Sequence, residues 1–263
     1  MMLLTRIRVF TGIVLLTLLS GCVTTTDSAL TKNADPELAL QRFIDLGFEY
    51  IKREDFSRAQ KHLVRALEID EDNARANSAM GLIYQRQGEK KLAEASFQSA
   101  IDNDPRYTQG RTYYAAFLFS NQRYNDSLEQ FLKAAEDTTY SARSQVYTNI
   151  ALCNVRLNNL ERALQAYERA LQIDRFNSGA LAGMTEVLLT LNNFKRAQYY
   201  YNRLVQQIAN QSLSHSARTL WQGVRIARHF NAFQQETSLA ALLEELYPDS
   251  PEYKRYLSQF GGK

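Results

Sequence analysis

The chain has 263 residues, 45% of them apolar, and a formal charge of +3 from 31 basic and 28 acidic side chains. So even a balance, without a basic run, gives no electrostatic footing for nucleic acid. Only 11 glycines and 4 prolines, with no sustained strand alternation, favour helices throughout.

At the N-terminus, Arg6 and Arg8 precede an apolar core from Val9 to Leu19, which closes on Ser20, Gly21 and Cys22. That order of charge, core and small residues is the order of a secretory signal. A helix over Val9 to Leu19 rises only about 16 Å, roughly half the hydrocarbon thickness of a bilayer, so it is too short for a lasting span. Leu19-Ser20-Gly21-Cys22 resembles the lipobox of bacterial lipoproteins. The resemblance implies a signal peptide over 1–21, cleavage before Cys22 and acylation of its thiol; the other reading is an ordinary signal whose cysteine is accidental. Val23 stands where an Asp would favour inner-membrane retention, which implies an outer-membrane anchor facing the periplasm. Residues 22–35, rich in Thr, Ser, Asp, Lys and Asn, read as a flexible tether. Loss of two arginines leaves a mature chain near +1, and Cys153 is then without an intramolecular partner; it reads as a small buried apolar side chain.

From Leu46 onward the sequence repeats. Gly47, Tyr50, Ala59, Leu63 and Ala66 reappear 34 residues on as Gly81, Tyr84, Ala93, Phe97 and Ala100. This is the period and spacing of the tetratricopeptide repeat, in which small residues let two antiparallel helices approach and aromatic side chains fill the gap. Further units carry Tyr114, Ala115, Phe131 and Ala134, then Ile150, Ala151, Ala163 and Tyr167, then Met184, Leu188, Ala197 and Tyr201. A weaker sixth carries Gly223, Ala227, Ala240 and Leu243, as expected of a cap. The shift stretches to 36 before the fourth unit, within "DTTYSAR", and to 39 before the sixth, within "IANQSLSHS". The expectation is an all-α fold: a right-handed superhelical solenoid of about six tetratricopeptide helix pairs over 36–260, with repeats near 40–73, 74–107, 108–141, 144–177, 178–211 and 217–250.

Such a solenoid exposes a concave face lined by the first helix of each unit. In unit one this register places Gln41, Ile44, Phe48, Ile51 and Lys52 there, with Leu82 in unit two. Three large apolar residues on a wet face fit a groove for an apolar side chain or an amphipathic helix of a partner. They equally fit a face covered by the chain's own Ala34–Leu38, or a register shifted by one residue. Unit six places Arg218, Trp221, Arg225, Arg228 and His229 on the same face. Trp and Arg together suit a hot spot for carboxylates or aromatic rings, or else Trp221 seals the terminal pair while the arginines are solvated.

Catalytic chemistry has little to stand on. His62, His215 and His229 are far apart, and no HExxH, P-loop or dinucleotide fingerprint occurs. The carboxylates Glu68, Asp70, Glu71 and Asp72 read as turn and capping groups rather than a metal site. No enzyme activity, cofactor, metal or small-molecule substrate is expected.

The lipobox, the six repeats, "TYYAAFLFSNQRYNDSLEQF" at 112–131, "DTTYSARSQVYTNIALC" and the ending "LWQGVRIARHFN…LYPDSPEY" together resemble the type IV pilus biogenesis and stability lipoproteins, the PilF/PilW family. The resemblance implies an outer-membrane pilotin that binds the secretin, the ring through which the pilus exits, and helps it reach the membrane and multimerise. Some members of that family have two cysteines that allow a bridge between units three and four. Here Phe119 stands at the first of those positions and Cys153 at the second, so no bridge is expected. A general envelope adaptor, positioning peptidoglycan enzymes or β-barrel assembly machinery, is the alternative.

Overall fold

A computed structural model describes residues 35–210 and 214–260. The signal peptide, Cys22 and the tether as far as residue 34 lie outside the described residues. Thirteen helices are described, in chain order: α1 Pro36–Lys52, α2 Phe56–Ile69, α3 Ala74–Gln87, α4 Lys90–Asn103, α5 Thr108–Ser120, α6 Tyr124–Ala135, α7 Arg143–Arg156, α8 Leu160–Ile173, α9 Ser178–Thr190, α10 Phe194–Asn210, α11 Ala217–His229, α12 Phe233–Leu246 and α13 Pro251–Phe260. The first twelve form six antiparallel pairs.

Local chemistry starts these helices. Asp35 caps α1 through its carboxylate, which accepts from the Glu37 N–H at 3.0 Å, and Pro36 fills a first-turn position that needs no donor. Asp55, Asn73, Asn177 and Ser216 cap α2, α3, α9 and α11 in the same way. Along α2 the buried residues are Ala59, Leu63 and Ala66, four and three apart, one stripe of a 3.6-residue helix.

Within every pair the turn passes through one residue of positive φ: Glu54 at 59°, Gly88 at 81°, Gln122 at 63°, Asn158 at 59°, and Asn192 and Asn231 at 56° each. Their spacings are 34, 34, 36, 34 and 39 residues, so the turns keep the period and the two stretches that the helices show. The residue after each accepts no strain but closes the turn by a backbone bond five residues back, as Asp55 N–H to Tyr50 C=O and Arg123 N–H to Leu118 C=O do.

Glycine lets helices approach where the aromatic or leucine side chain of a second helix must enter. A Cβ on Gly81 would stand 2.7 Å from the Phe97 ring, inside the same pair. Between pairs, a Cβ on Gly183 would stand 2.6 Å from Cε1 of Tyr167.

Successive first helices touch one another, α1 with α3, α3 with α5, α7 with α9 and α9 with α11, whereas no such row joins the second helices. The first helices therefore form the inner, tighter row of the solenoid. At the α5–α7 step the contact passes through α6 instead. There the two extra residues sit in a link held by Asp137, which accepts from Thr108 Oγ1 at 2.7 Å, and by Arg143, which donates to the Ala135 carbonyl at 2.9 Å. Cys153 is a free, fully buried thiol 3.4 Å from Ser127 Oγ, and burial pushes its pKa up. Phe119 packs edge-on against Tyr124 at 5.2 Å, so aromatic packing holds the third pair together at this point. The last helix, α13, lies against α11 and α12, outside the six-pair pattern.

Candidate functional site

The inner row of first helices carries two separate side-chain clusters. The first is built on α1, α3 and α5. Arg75 of α3 reaches back to α1, donating to Gln41 Oε1 at 2.7 Å and Asp45 Oδ1 at 2.9 Å, with its guanidinium 6.0 Å from the Phe48 ring. Phe48 in turn meets Tyr113 of α5 at 6.5 Å between ring centroids. Asp45, Phe48, Glu49, Lys52, Arg75, Tyr107 and Gln109 enclose a cleft of 320 Å³. Burial pushes the Tyr107 and Tyr113 phenols above their usual pKa, so both stay neutral hydrogen-bonding groups in ordinary conditions. The charge of the cleft thus comes from two acids and two bases at its rim, around an aromatic floor.

Of the residues assigned to this groove from sequence, the structure exposes some and not others. Phe48, Ile51 and Leu82 are half-buried; Phe48 and Ile51 pack on the first core cluster, and Leu82 lies with Tyr113 against the Phe97 cluster. Ile44 is 0% exposed and belongs to the core with Leu40, Leu63, Met80 and Ile83. The reason is helical rotation: four residues advance about 40° beyond a full turn, enough to carry Phe48 to the rim while Ile44 stays under it. Of the segment Ala34–Leu38, residues 36–38 are the first turn of α1 rather than a cover over the groove, and Ala34 lies outside the described residues.

The second cluster lies on α9 and α11. Glu186 accepts from Arg225 at 2.8 Å and from Gln222 Nε2 at 2.9 Å, and Gln222 also donates to the Ala182 carbonyl. Arg218 is exposed and forms no ion pair among the described residues. Trp221 is not available to a partner. It is 4% exposed, packed with Val224 and Ala240 and sealed by Phe260 of α13 at 6.0 Å. Arg228 is likewise engaged, stacking over Phe260 and donating to Glu236 at 2.8 Å. His229 stacks on Phe194 at 3.7 Å.

Sequence reasoning missed Arg75, Tyr107, Tyr113 and Glu186. Arg75 had a readable signal, since it stands 34 residues after Gln41, the position already placed on this face. Glu186 stands in the fifth unit at the register of Phe48 but carries a carboxylate, which apolar patterning does not find.

No grouping of three or more His, Cys, Asp or Glu side chains able to hold a metal occurs among the described residues. His62 is stacked on Tyr50 at 5.4 Å. The inner face presents charged side chains around an aromatic floor.

Comparison with known proteins gives this architecture its relatives. Models of the tetratricopeptide repeat match residues 47–88, 74–107 and 144–177. The type IV pilus assembly protein PilF of Pseudomonas aeruginosa is 29% identical over 242 residues, 92% of this chain and 94% of that protein. A solved structure of P. aeruginosa PilF superposes with a TM-score of 0.79 at 28% identity, covering 85% of this chain and 99% of that one. The crystal structure of PilW, described as a widely conserved type IV pilus biogenesis factor, shares the fold with a TM-score of 0.73 at 23% identity, over 83% of this chain and 98% of that one. The chain is a PilF/PilW-like tetratricopeptide repeat protein.

Proposed function

We propose that this chain is a type IV pilus biogenesis protein acting as a pilotin: a non-catalytic lipoprotein that binds the secretin and promotes its localisation to the outer membrane and its multimerisation. The observation that carries the reading is the end-to-end similarity to PilF, which covers nearly the whole of both chains rather than a run of repeats. The inner-face cleft of α1, α3 and α5 supports it by offering an aromatic floor with charged rims to a partner segment.

The division of labour follows from the sequence. Acyl chains on Cys22 would supply membrane affinity, about 0.8 kcal/mol per buried methylene. The repeats would supply recognition, and the partner would travel with the anchor.

The test is a strain lacking the gene, complemented by the wild type or by Cys22→Ala. Pili are counted, and the secretin is followed by envelope fractionation and by its heat-resistant multimers. The reading expects loss of pili and of outer-membrane multimers in the deletion, with Cys22→Ala restoring neither although the soluble protein accumulates. Normal secretin rings in the deletion would overturn it and leave a general envelope adaptor.

A further inference from the structure

A second recess lies off the inner face, at the edge where the α8–α9 turn meets the C-terminal half of α10. Arg175, Phe176, Leu181, Arg203, Gln206, Gln207 and Asn210 enclose 460 Å³. Side chains of α10 hold its rim in place: Arg203 donates to the Arg175 carbonyl at 3.0 Å, and Gln207 Nε2 donates to the Phe176 carbonyl at 2.6 Å. The longer spacing before the sixth unit adds the end of this wall. Helix α10 has 17 residues where α2, α4, α8 and α12 have 14, and its last residue, Asn210, lines the recess.

Three features of this recess are uncompensated. Arg175 and Arg203 form no ion pair among the described residues, and no acid lines the recess. Phe176 is 54% exposed, with the Arg175 guanidinium 4.4 Å from its ring centroid, while Leu181 forms a buried floor. Gln207 Oε1 is buried with no hydrogen-bond partner among the described residues. Two guanidinium groups without an acid, that of Arg203 still donating to the Arg175 carbonyl, beside the exposed Phe176 ring match a ligand that brings a carboxylate and an apolar group together.

We propose that this recess is a second docking site, which takes a short segment of a partner protein carrying an Asp or Glu beside an apolar side chain. A peptide fits the concavity better than a membrane surface does, because a side chain can enter the recess beside Phe176 and a flat array of headgroups cannot. Being apart from the inner face, the site allows this protein to hold two partner segments at once, and it does not depend on the pilotin reading.

The experiment is a displayed heptapeptide library selected on the full chain and counter-selected on Arg175→Gln. This variant keeps the Arg175 carbonyl that Arg203 needs. Retained peptides should carry an acid next to an aliphatic or aromatic residue. They should bind the wild type at least tenfold more tightly than Arg175→Gln and lose affinity with added salt, while the variant melts as the wild type does. Arg203→Lys, which keeps the charge but not the fork, should also weaken them. Peptides without an acid–apolar pair, or equal binding to both variants and the wild type, would overturn the proposal. So would phosphatidylglycerol vesicles binding through the same arginines without any selected peptide.

Discussion

Tyr201 of α10 stands over Gly223 of the next pair, with its ring Cζ 2.7 Å from where a Cβ on that glycine would sit. The pairing is a joint between repeats: the tyrosine is 4% exposed and its ring enters the space that the missing side chain leaves. Gly223→Ala should lower stability by about 1–3 kcal/mol, the usual cost of overpacking, because Leu239 blocks the other side at 2.8 Å. Gly179→Ala is the matched control, since its Cβ would meet nothing closer than 3.4 Å. Urea unfolding of the two variants measures the difference.

The inner-face cleft and the core beneath it make opposite predictions for two neighbours on α1. If the proposed pilotin function holds, Phe48→Asp should abolish capture of the secretin while lowering the melting temperature only slightly. Ile44→Ala should leave the cleft's chemistry intact but cost about 2–5 kcal/mol of stability, as removal of a fully buried aliphatic side chain does. Pull-down and thermal unfolding, run on both variants, separate recognition from folding. A large fall in melting temperature for Phe48→Asp would make that residue core as well.

How far these features were legible in the sequence follows from what each depends on. The helix pairs were legible because Gly47, Tyr50, Ala59 and their copies recur at fixed spacing, and the six positive-φ turn residues now show the same 34, 34, 36, 34 and 39 intervals. Surface membership was not, because Ile44 and Phe48 are alike in polarity and differ only by rotation about the helix. Trp221 left two readings open, a partner hot spot or a seal on the terminal pair, because α13 falls outside the repeat pattern, and it is Phe260 of α13 that covers it. The stretch before unit six was visible as extra length, but that it brings Asn210 to the wall of the recess depends on where α10 ends.

The turns offer a stabilising substitution. Gln122 holds a φ of 63°, a region that costs an L side chain roughly 1–2 kcal/mol. Its exposed side chain makes no hydrogen bond among those described, so nothing local offsets that cost. Gln122→Gly should raise stability by about 0.5–1 kcal/mol after the glycine's extra freedom in the unfolded chain is counted. Asn158→Gly, at 59°, should gain less, because asparagine already tolerates this backbone. The urea midpoints of both variants, compared at equal slope, decide between them.

Alkaline pH should open the joints between repeats. Burial pushes the phenols of Tyr167 and Tyr201 up to about 12, above the usual value near 10. Below pH 10 both phenols are neutral in folded and unfolded chains, and the stability linked to them is fully present. Between pH 10 and 12 the unfolded chain ionises while the folded one resists, so stability falls as pH rises and the contribution is gone once the folded groups titrate. The loss is on the order of 2 kcal/mol per tyrosine by this linkage. A Tyr167→Phe/Tyr201→Phe variant should therefore lose much less stability between pH 9 and pH 11.5 than the wild type does, whatever its absolute stability at pH 9. Equal losses in the two proteins would mean that the phenols ionise without opening the fold, and the joints would then rest on the rings alone.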